Sequence, residues 1–222
     1  MTKWIAAIAL AVVAVVGSIP AASAGQDGNS TPWFTWHTHD FFTSCDGNCA
    51  FAIFGGREVK TDMTKAFLIE HPVAPWHDRV GNAGIIAGNF SRRFLTVLNI
   101  LDFETEVGVG QRFGNMHATE NWLALDVRWT WFPWNQYVRT TIGLAEGVSY
   151  AYEIDMEERL RADNNRGSHF LNFFTPELTL ALPQLPRDEL IFRFQHRSGA
   201  FGAINGVYGG SSFATVGYRH RF

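Results

Sequence analysis

The sequence predicts an all-β protein, an eight-stranded antiparallel transmembrane β-barrel of the bacterial outer membrane. Three observations predict it. From residue 50 onward, apolar residues alternate with small or charged ones at period two, and no apolar stripe of helical spacing runs for a useful length. The chain is rich in aromatic residues and poor in charge, with 18% charged residues where an ordinary soluble domain carries roughly 25%. The last residue is Phe222, which closes the alternating series Ser212, Ala214, Val216, Tyr218, His220. A terminal aromatic residue on such a strand resembles the assembly signal of outer-membrane barrels. Averaging a lipid-facing half with a lumen-facing half accounts for a mean hydropathy near zero. The excess Trp and Phe is then expected on the outside of the barrel.

Residues 1–24 read as a signal peptide. Lys3 precedes an apolar run from Trp4 to Val16, followed by Gly17, Ser18, Pro20 and the small-residue series Ala22, Ser23, Ala24. The run is shorter than the roughly 20 residues needed to cross a bilayer as a helix. Cleavage after Ala24 leaves 198 residues with a net charge of −4. That balance supplies no basic field for nucleic acid.

Residues 25–49 form an aromatic N-terminal segment containing Trp33, Phe34, Trp36, Phe41 and Phe42. His37, His39 and Asp40 lie inside it and read as part of the anchoring segment rather than as metal ligands. Cys45 and Cys49 flank Asp46, Gly47 and Asn48, a turn-forming trio that brings the thiols together in an oxidising, exported setting. A small disulfide loop is expected there.

The barrel occupies 50–222, with strands expected near 50–57, 81–91, 96–110, 119–132, 137–151, 168–182, 188–199 and 211–222. In the third strand, Leu101, Phe103, Val107 and Val109 share one face while Asp102, Glu104 and Glu106 share the other. The fourth sets Leu123, Leu125, Val127, Trp129 and Trp131 against Trp122, Ala124, Asp126 and Arg128. The fifth repeats this with Ile142, Leu144 and Val148 against Gly143, Ala145, Gly147 and Ser149. Glu177, alternating with Thr175 and Thr179, joins the lumenal charges. Short turns are expected at 91–93, 132–135 and 182–187, and longer loops between 57 and 80, 110 and 118, 152 and 167, and 199 and 210. Short periplasmic turns and long external loops are the pattern of outer-membrane barrels. Trp129, Trp131, Phe132 and Trp134 around Pro133 suit an aromatic girdle at a membrane interface.

Chemistry concentrates on the seventh strand. Period two places Arg193, Gln195 and Arg197 on the lumenal face, so Phe192, Phe194, His196 and Ser198 face lipid. A His and a Ser two residues apart on one face can pair as base and nucleophile, and these two sit at the end of the strand that reaches the outer leaflet. The glycine-rich stretch from Gly199 to Gly210 offers backbone N–H groups, and Asn205 an amide, for an oxyanion beside Ser198.

The stretch from His196 through Gly202, the stretch Asn205-Gly206-Val207-Tyr208-Gly209-Gly210-Ser211 and the ending Tyr218-Arg219-His220-Arg221-Phe222 resemble the C-terminal region of the outer-membrane lipid A 3-O-deacylases, the PagL family. The match spans about the last 35 residues. The resemblance implies an eight-stranded barrel that hydrolyses the ester-linked acyl chain at the 3-position of lipid A, with lipopolysaccharide as partner and without metal or cofactor. His196 matches the base and Ser198 the nucleophile. The family's acid lies on the last strand about ten residues before the terminal aromatic, where this chain has Ser212. Ser212 is the candidate to orient His196 by a hydrogen bond in place of a carboxylate; Glu146, on the lipid-facing side of the fifth strand but two strands from His196, reads as an interface contact. A non-catalytic barrel with a structural or adhesive role is the alternative, and a homodimer is left open.

Overall fold

A computed structural model describes residues 33–37, 44–60, 80–160, 162 and 167–222. The expected signal peptide, His39 and Asp40 lie outside these residues. Among the described residues, nine strands and one short helix follow in chain order: β1 (Phe34–Trp36), β2 (Cys49–Val59), β3 (Val80–Val97), β4 (Leu101–Phe113), β5 (Thr119–Trp129), β6 (Arg139–Ala151), α1 (Met156–Leu160), β7 (Phe170–Ala181), β8 (Asp188–Ser198) and β9 (Gly210–Arg221). Each strand from β2 to β9 pairs antiparallel with its sequence neighbour, and β2 also pairs with β9. Eight strands therefore close on themselves, which leaves no unpaired edge in the ring.

Closure makes the period-two pattern a division between lipid and lumen. Outward positions carry Ile53, Ile86, Val107, Val109, Leu123, Ile142, Leu144, Leu190 and Val216, all exposed. Inward positions carry Glu104, Glu106, Arg112, Asp126, Arg128, Glu177, Arg193, Arg197 and Arg219, all buried. An apolar exterior around a charged, closed interior is stable only where lipid replaces water outside, so the chain is a bacterial outer-membrane barrel. Among the described residues no helix is long and apolar enough to cross a membrane. The crossing is made by strands.

The lumen is filled by two kinds of packing. Arg128 pairs with Asp126 at 3.1 Å and with Glu177, while Arg193 reaches Glu106 at 2.7 Å and Glu177 at 3.5 Å. Glu104 takes Arg219 at 2.6 Å and Arg221 at 2.7 Å. The three carboxylates Glu106, Asp126 and Glu177 crowd within 4.8 Å, and the guanidinium groups of Arg128 and Arg193 run between them. The second packing is aromatic: most Trp, Phe and Tyr side chains are exposed on the outside as expected, but four turn inward. Phe54, Trp122, Phe173 and Phe213 are buried in the lumen, where Trp122 stacks on Phe173 at 5.2 Å and Arg193 sits 4.8 Å over the Phe54 ring. Gly108 faces Trp122 across the sheet, where a Cβ would lie 2.1 Å from the indole ring.

One turn differs from its expected place. Ser91, Arg92 and Arg93 read as a break between two strands, but β3 runs through them for 18 residues to Val97. Ser91 donates to Glu104 at 2.8 Å and Arg93 to Asp102 at 3.1 Å, so lumenal carboxylates on β4 receive these polar side chains and the strand continues. The chain reverses instead at Leu98 and Asn99, both at positive φ (53° and 56°), with Ile100 N–H donating to Val97 O at 3.1 Å. Two consecutive left-handed residues match the twist of the flanking strands.

At the same end β1 extends the sheet by pairing with Leu95–Val97 of β3. The Cys45–Cys49 disulfide forms, with Cα atoms 5.1 Å apart across a turn in which Asn48 N–H donates to Cys45 O at 2.7 Å. Cys49 and Phe222 exchange backbone hydrogen bonds. The disulfide thus sits beside the closing seam. Trp33, Trp36, Trp129, Trp131 and Trp134 are exposed at this periplasmic rim, as an interfacial girdle requires.

Candidate functional site

β8 alternates as its sequence demands: Arg193, Gln195 and Arg197 are buried in the lumen, while His196 and Ser198 lie on the outer face. The β8–β9 register sets His196 opposite Ser212, and the His196 Nδ1 and Ser212 Oγ atoms are 2.8 Å apart. The residue expected to orient His196 is within hydrogen-bond distance of it. Ser198 lies opposite Asn172 of β7 on one side and Gly210 of β9 on the other. Side chains opposite one another across antiparallel strands approach to about 5 Å, which brings the Asn172 amide beside Ser198.

Asn172 was not signalled by any motif. Its one signal is an amide in the outward series Phe170, Asn172, Phe174, Pro176, Leu178 of β7, where every other member is apolar. Its Nδ2 donates to Glu146 Oε1 at 2.5 Å and to Gly147 O at 3.3 Å. Glu146 is therefore held on β6, two strands from His196, with Phe174 between them in the register. Ser212, His196, Ser198, Asn172 and Glu146 together form a polar patch across β9, β8, β7 and β6 on an otherwise apolar wall. Hydrocarbon leaves such groups without hydrogen-bond partners, so the patch marks the wall's outer, extracellular end.

The loops above the patch are tied together from inside. Arg197, whose neighbours in sequence are His196 and Ser198, donates to Ser149 Oγ at 3.0 Å, Ser168 O at 2.7 Å and His169 O at 2.6 Å, and pairs with Glu158 of α1. Glu158 also takes Arg112 at 3.0 Å and the Ser211 hydroxyl at 3.1 Å. Burial raises its pKa, yet Arg112 and Arg197 outweigh that effect and hold the carboxyl below its ordinary value. Ala162, Leu171 and Val207 pack into one small apolar cluster, and Ala162 bridges to Val207. The described parts of the β6–β7 and β8–β9 loops are thus tied to each other.

The donors foreseen for an oxyanion are engaged within these loops. Gly199 N–H donates to Gly209 O at 3.4 Å, and a Cβ at Gly199 would fall 2.0 Å from Val207 O, which is why the close approach of the two loop arms takes a glycine. Asn205 sits at positive φ and donates through Nδ2 to Ser168 Oγ at 2.8 Å. Both residues hold the loop's shape in this state.

No protein family and no curated protein matches the chain. Among solved structures, it is similar to the crystal structure of neisserial surface protein A at 12% identity and a TM-score of 0.47, covering 80% of this chain and 98% of that one. It is also similar to a structure from the de novo design of transmembrane β-barrels, at 11% identity and a TM-score of 0.43, covering 79% of this chain and 96% of the other. These likenesses concern the barrel alone. Any chemistry has to be argued from the patch on β6 to β9.

Proposed function

We propose that the barrel is an outer-membrane serine esterase that removes the 3-O-linked acyl chain of lipid A. The observation that carries this reading is the His196–Ser212 hydrogen bond on the lipid-facing wall, with Ser198 two residues from His196 on the same face. In the reaction, Ser198 Oγ bonds the ester carbonyl carbon as its proton passes to His196 Nε2. Collapse of the tetrahedral adduct breaks the bond to the sugar oxygen, which takes that proton and leaves as the alcohol. Water then enters by the same route in reverse, giving the free fatty acid and restoring Ser198. Ser212, bonded at Nδ1, orients the ring. A neutral hydroxyl does not offset the charge of an imidazolium as a carboxylate does, and loss of that charge costs a serine triad about 10⁴ in rate.

A specific observation favours a second reading. Serine stands at the place of the family's acid, and the carboxylate in this patch, Glu146, is bound to Asn172 on a neighbouring strand. A barrel that kept the scaffold in a structural or adhesive role would have this arrangement. Mass spectrometry of lipid A from cells with and without the protein decides between them. The esterase reading requires loss of one ester-linked chain that depends on both Ser198 and His196. An unchanged acylation pattern with the barrel correctly assembled sinks it.

A further inference from the structure

The periplasmic mouth of the barrel holds a cavity of about 470 Å³. It lies in the size range of small-molecule sites. It is blind, because the lumen beyond it is filled by the buried network around Arg128, Glu104 and Arg219. Five arginines line it: Arg93, Arg128, Arg139, Arg187 and Arg221. Two carboxylates share the wall, and both have cations of their own. Asp102 takes Arg93 at 3.1 Å together with the Thr96 hydroxyl at 2.6 Å, and Glu189 takes Arg219 at 2.6 Å. Arg93 is paired with Asp102, and Arg128 with Asp126 and Glu177, so the cavity's surplus positive charge comes from Arg139, Arg187 and Arg221, in a chain whose net charge is −3.

The excess charge is concentrated on one side of the rim. Arg139 lies opposite Ala181 in the β6–β7 register, the turn after Ala181 leads to Arg187, and Arg221 N–H donates to Arg187 O at 2.9 Å. Three arginines from β6, the β7–β8 turn and β9 are thus consecutive around the mouth. Arg221 uses Nη2 on Glu104 at 2.7 Å, while its Nη1 is buried without a hydrogen-bond partner. Among the described residues, neither Arg139 nor Arg187 has an acidic partner within ion-pair distance. Thr140, Thr141 and Thr179 add hydroxyl groups to the same wall. Across the mouth, His37 accepts or donates at Thr96 Oγ1, 2.7 Å away, and its pKa is lowered by burial and by Arg93, with Arg221 adding to the effect against Asp102.

We propose that this mouth is a binding site for a phosphate-bearing ligand reached from the periplasm, held by Arg139, Arg187 and Arg221. Guanidinium forks pair with phosphate oxygens in a bidentate manner, and a dianion offsets the surplus of positive charge. The cavity holds more than a bare phosphate, so the ligand is a small phosphate ester or the headgroup of a phospholipid in the inner leaflet. The site lies at the opposite end of the barrel from Ser198 and does not rest on the esterase reading.

The test is calorimetric titration of the full mature barrel, refolded in zwitterionic detergent, with inorganic phosphate and with glycerol 3-phosphate. Binding that weakens with salt, and by about tenfold or more in Arg139→Gln/Arg187→Gln, is expected. Heat-modifiable gel mobility confirms that the variant has folded. A second arm reconstitutes both proteins in nanodiscs with and without phosphatidylglycerol. Thermal stabilisation by that lipid, lost in the double variant, assigns the headgroup as source, whereas glycerol 3-phosphate binding alone assigns a soluble ester. Absence of binding to both probes and the lipid, or binding unchanged in the folded double variant, overturns the proposal.

Discussion

Replacing Ser212 with Glu puts a carboxylate where His196 now meets a hydroxyl, 2.8 Å from its Nδ1. The two residues are direct partners in the β8–β9 register, and rotation about the side-chain bonds of Glu takes up its extra length. A carboxylate near the interfacial end of an outer strand costs about 0–1 kcal/mol, so the barrel still assembles. The gain is bounded above by the value of the acid in a serine triad, about 10⁴ in rate. The hydroxyl already orients the ring in part, which lowers the expected increase to between about 10² and 10⁴. Ser212→Ala moves the other way by less than about tenfold, because one neutral hydrogen bond contributes about 1 kcal/mol. The assay follows fatty acid released from lipid A in mixed micelles by refolded protein, with mass spectrometry of the product. If Ser212→Glu folds and the rate does not rise, or if the rise survives in Ser198→Ala, the assignment of Ser212 and His196 is refuted.

Three further outcomes follow from the packing. Leu123→Arg, at an exposed position midway along β5, is expected to cost about 2–4 kcal/mol of folding free energy in vesicles, read by urea titration; a negligible cost would contradict a lipid-facing wall. Gly108→Ala drives a methyl group into the Trp122 ring stacked on Phe173 and is expected to lower stability by about 1–3 kcal/mol, with a changed Trp fluorescence spectrum. Glu158→Gln leaves Arg197 and Arg112 short of a counter-charge, at a cost of about 3–5 kcal/mol. The native Glu158 carboxyl has a folded pKa below its ordinary value, so its stabilisation is complete above that value and is lost as acid carries the pH down through the folded one. Asp155, raised by burial, contributes the opposite slope, and the difference between native protein and Glu158→Gln across acid pH reads Glu158 together with its repulsion of Asp155. Equal acid sensitivity of the two proteins would count against the pairing of Glu158 with Arg112 and Arg197.

Much of the wall was legible because period two is a local property. Once one residue of β8 faces the lumen, every second one does, and the places of Arg193, Gln195, Arg197, His196 and Ser198 follow. The turn at Leu98 and Asn99 was not legible. A leucine at positive φ carries no turn signature, whereas Ser91, Arg92 and Arg93 do look like a break until Glu104 and Asp102 are placed across from Ser91 and Arg93. The stacking of the inward aromatic residues was not legible for a related reason. Trp122 could be assigned to the lumenal face from its neighbours, but its stack with Phe173 depends on two strands brought together across the barrel.

By itself, then, the amino-acid order determined the strands, the two faces and the wall on which His196 and Ser198 lie, since each depends on neighbours one or two positions apart. The tertiary structure decided what those residues meet: Ser212 at His196, Asn172 beside Ser198, Glu146 held two strands away, Glu158 against Arg197, and three arginines around the periplasmic mouth. Those encounters are set by register and by closure between strands distant in sequence. A slip of one residue in register exchanges lipid for lumen, and no local pattern records which residue of one strand lies opposite which residue of the next.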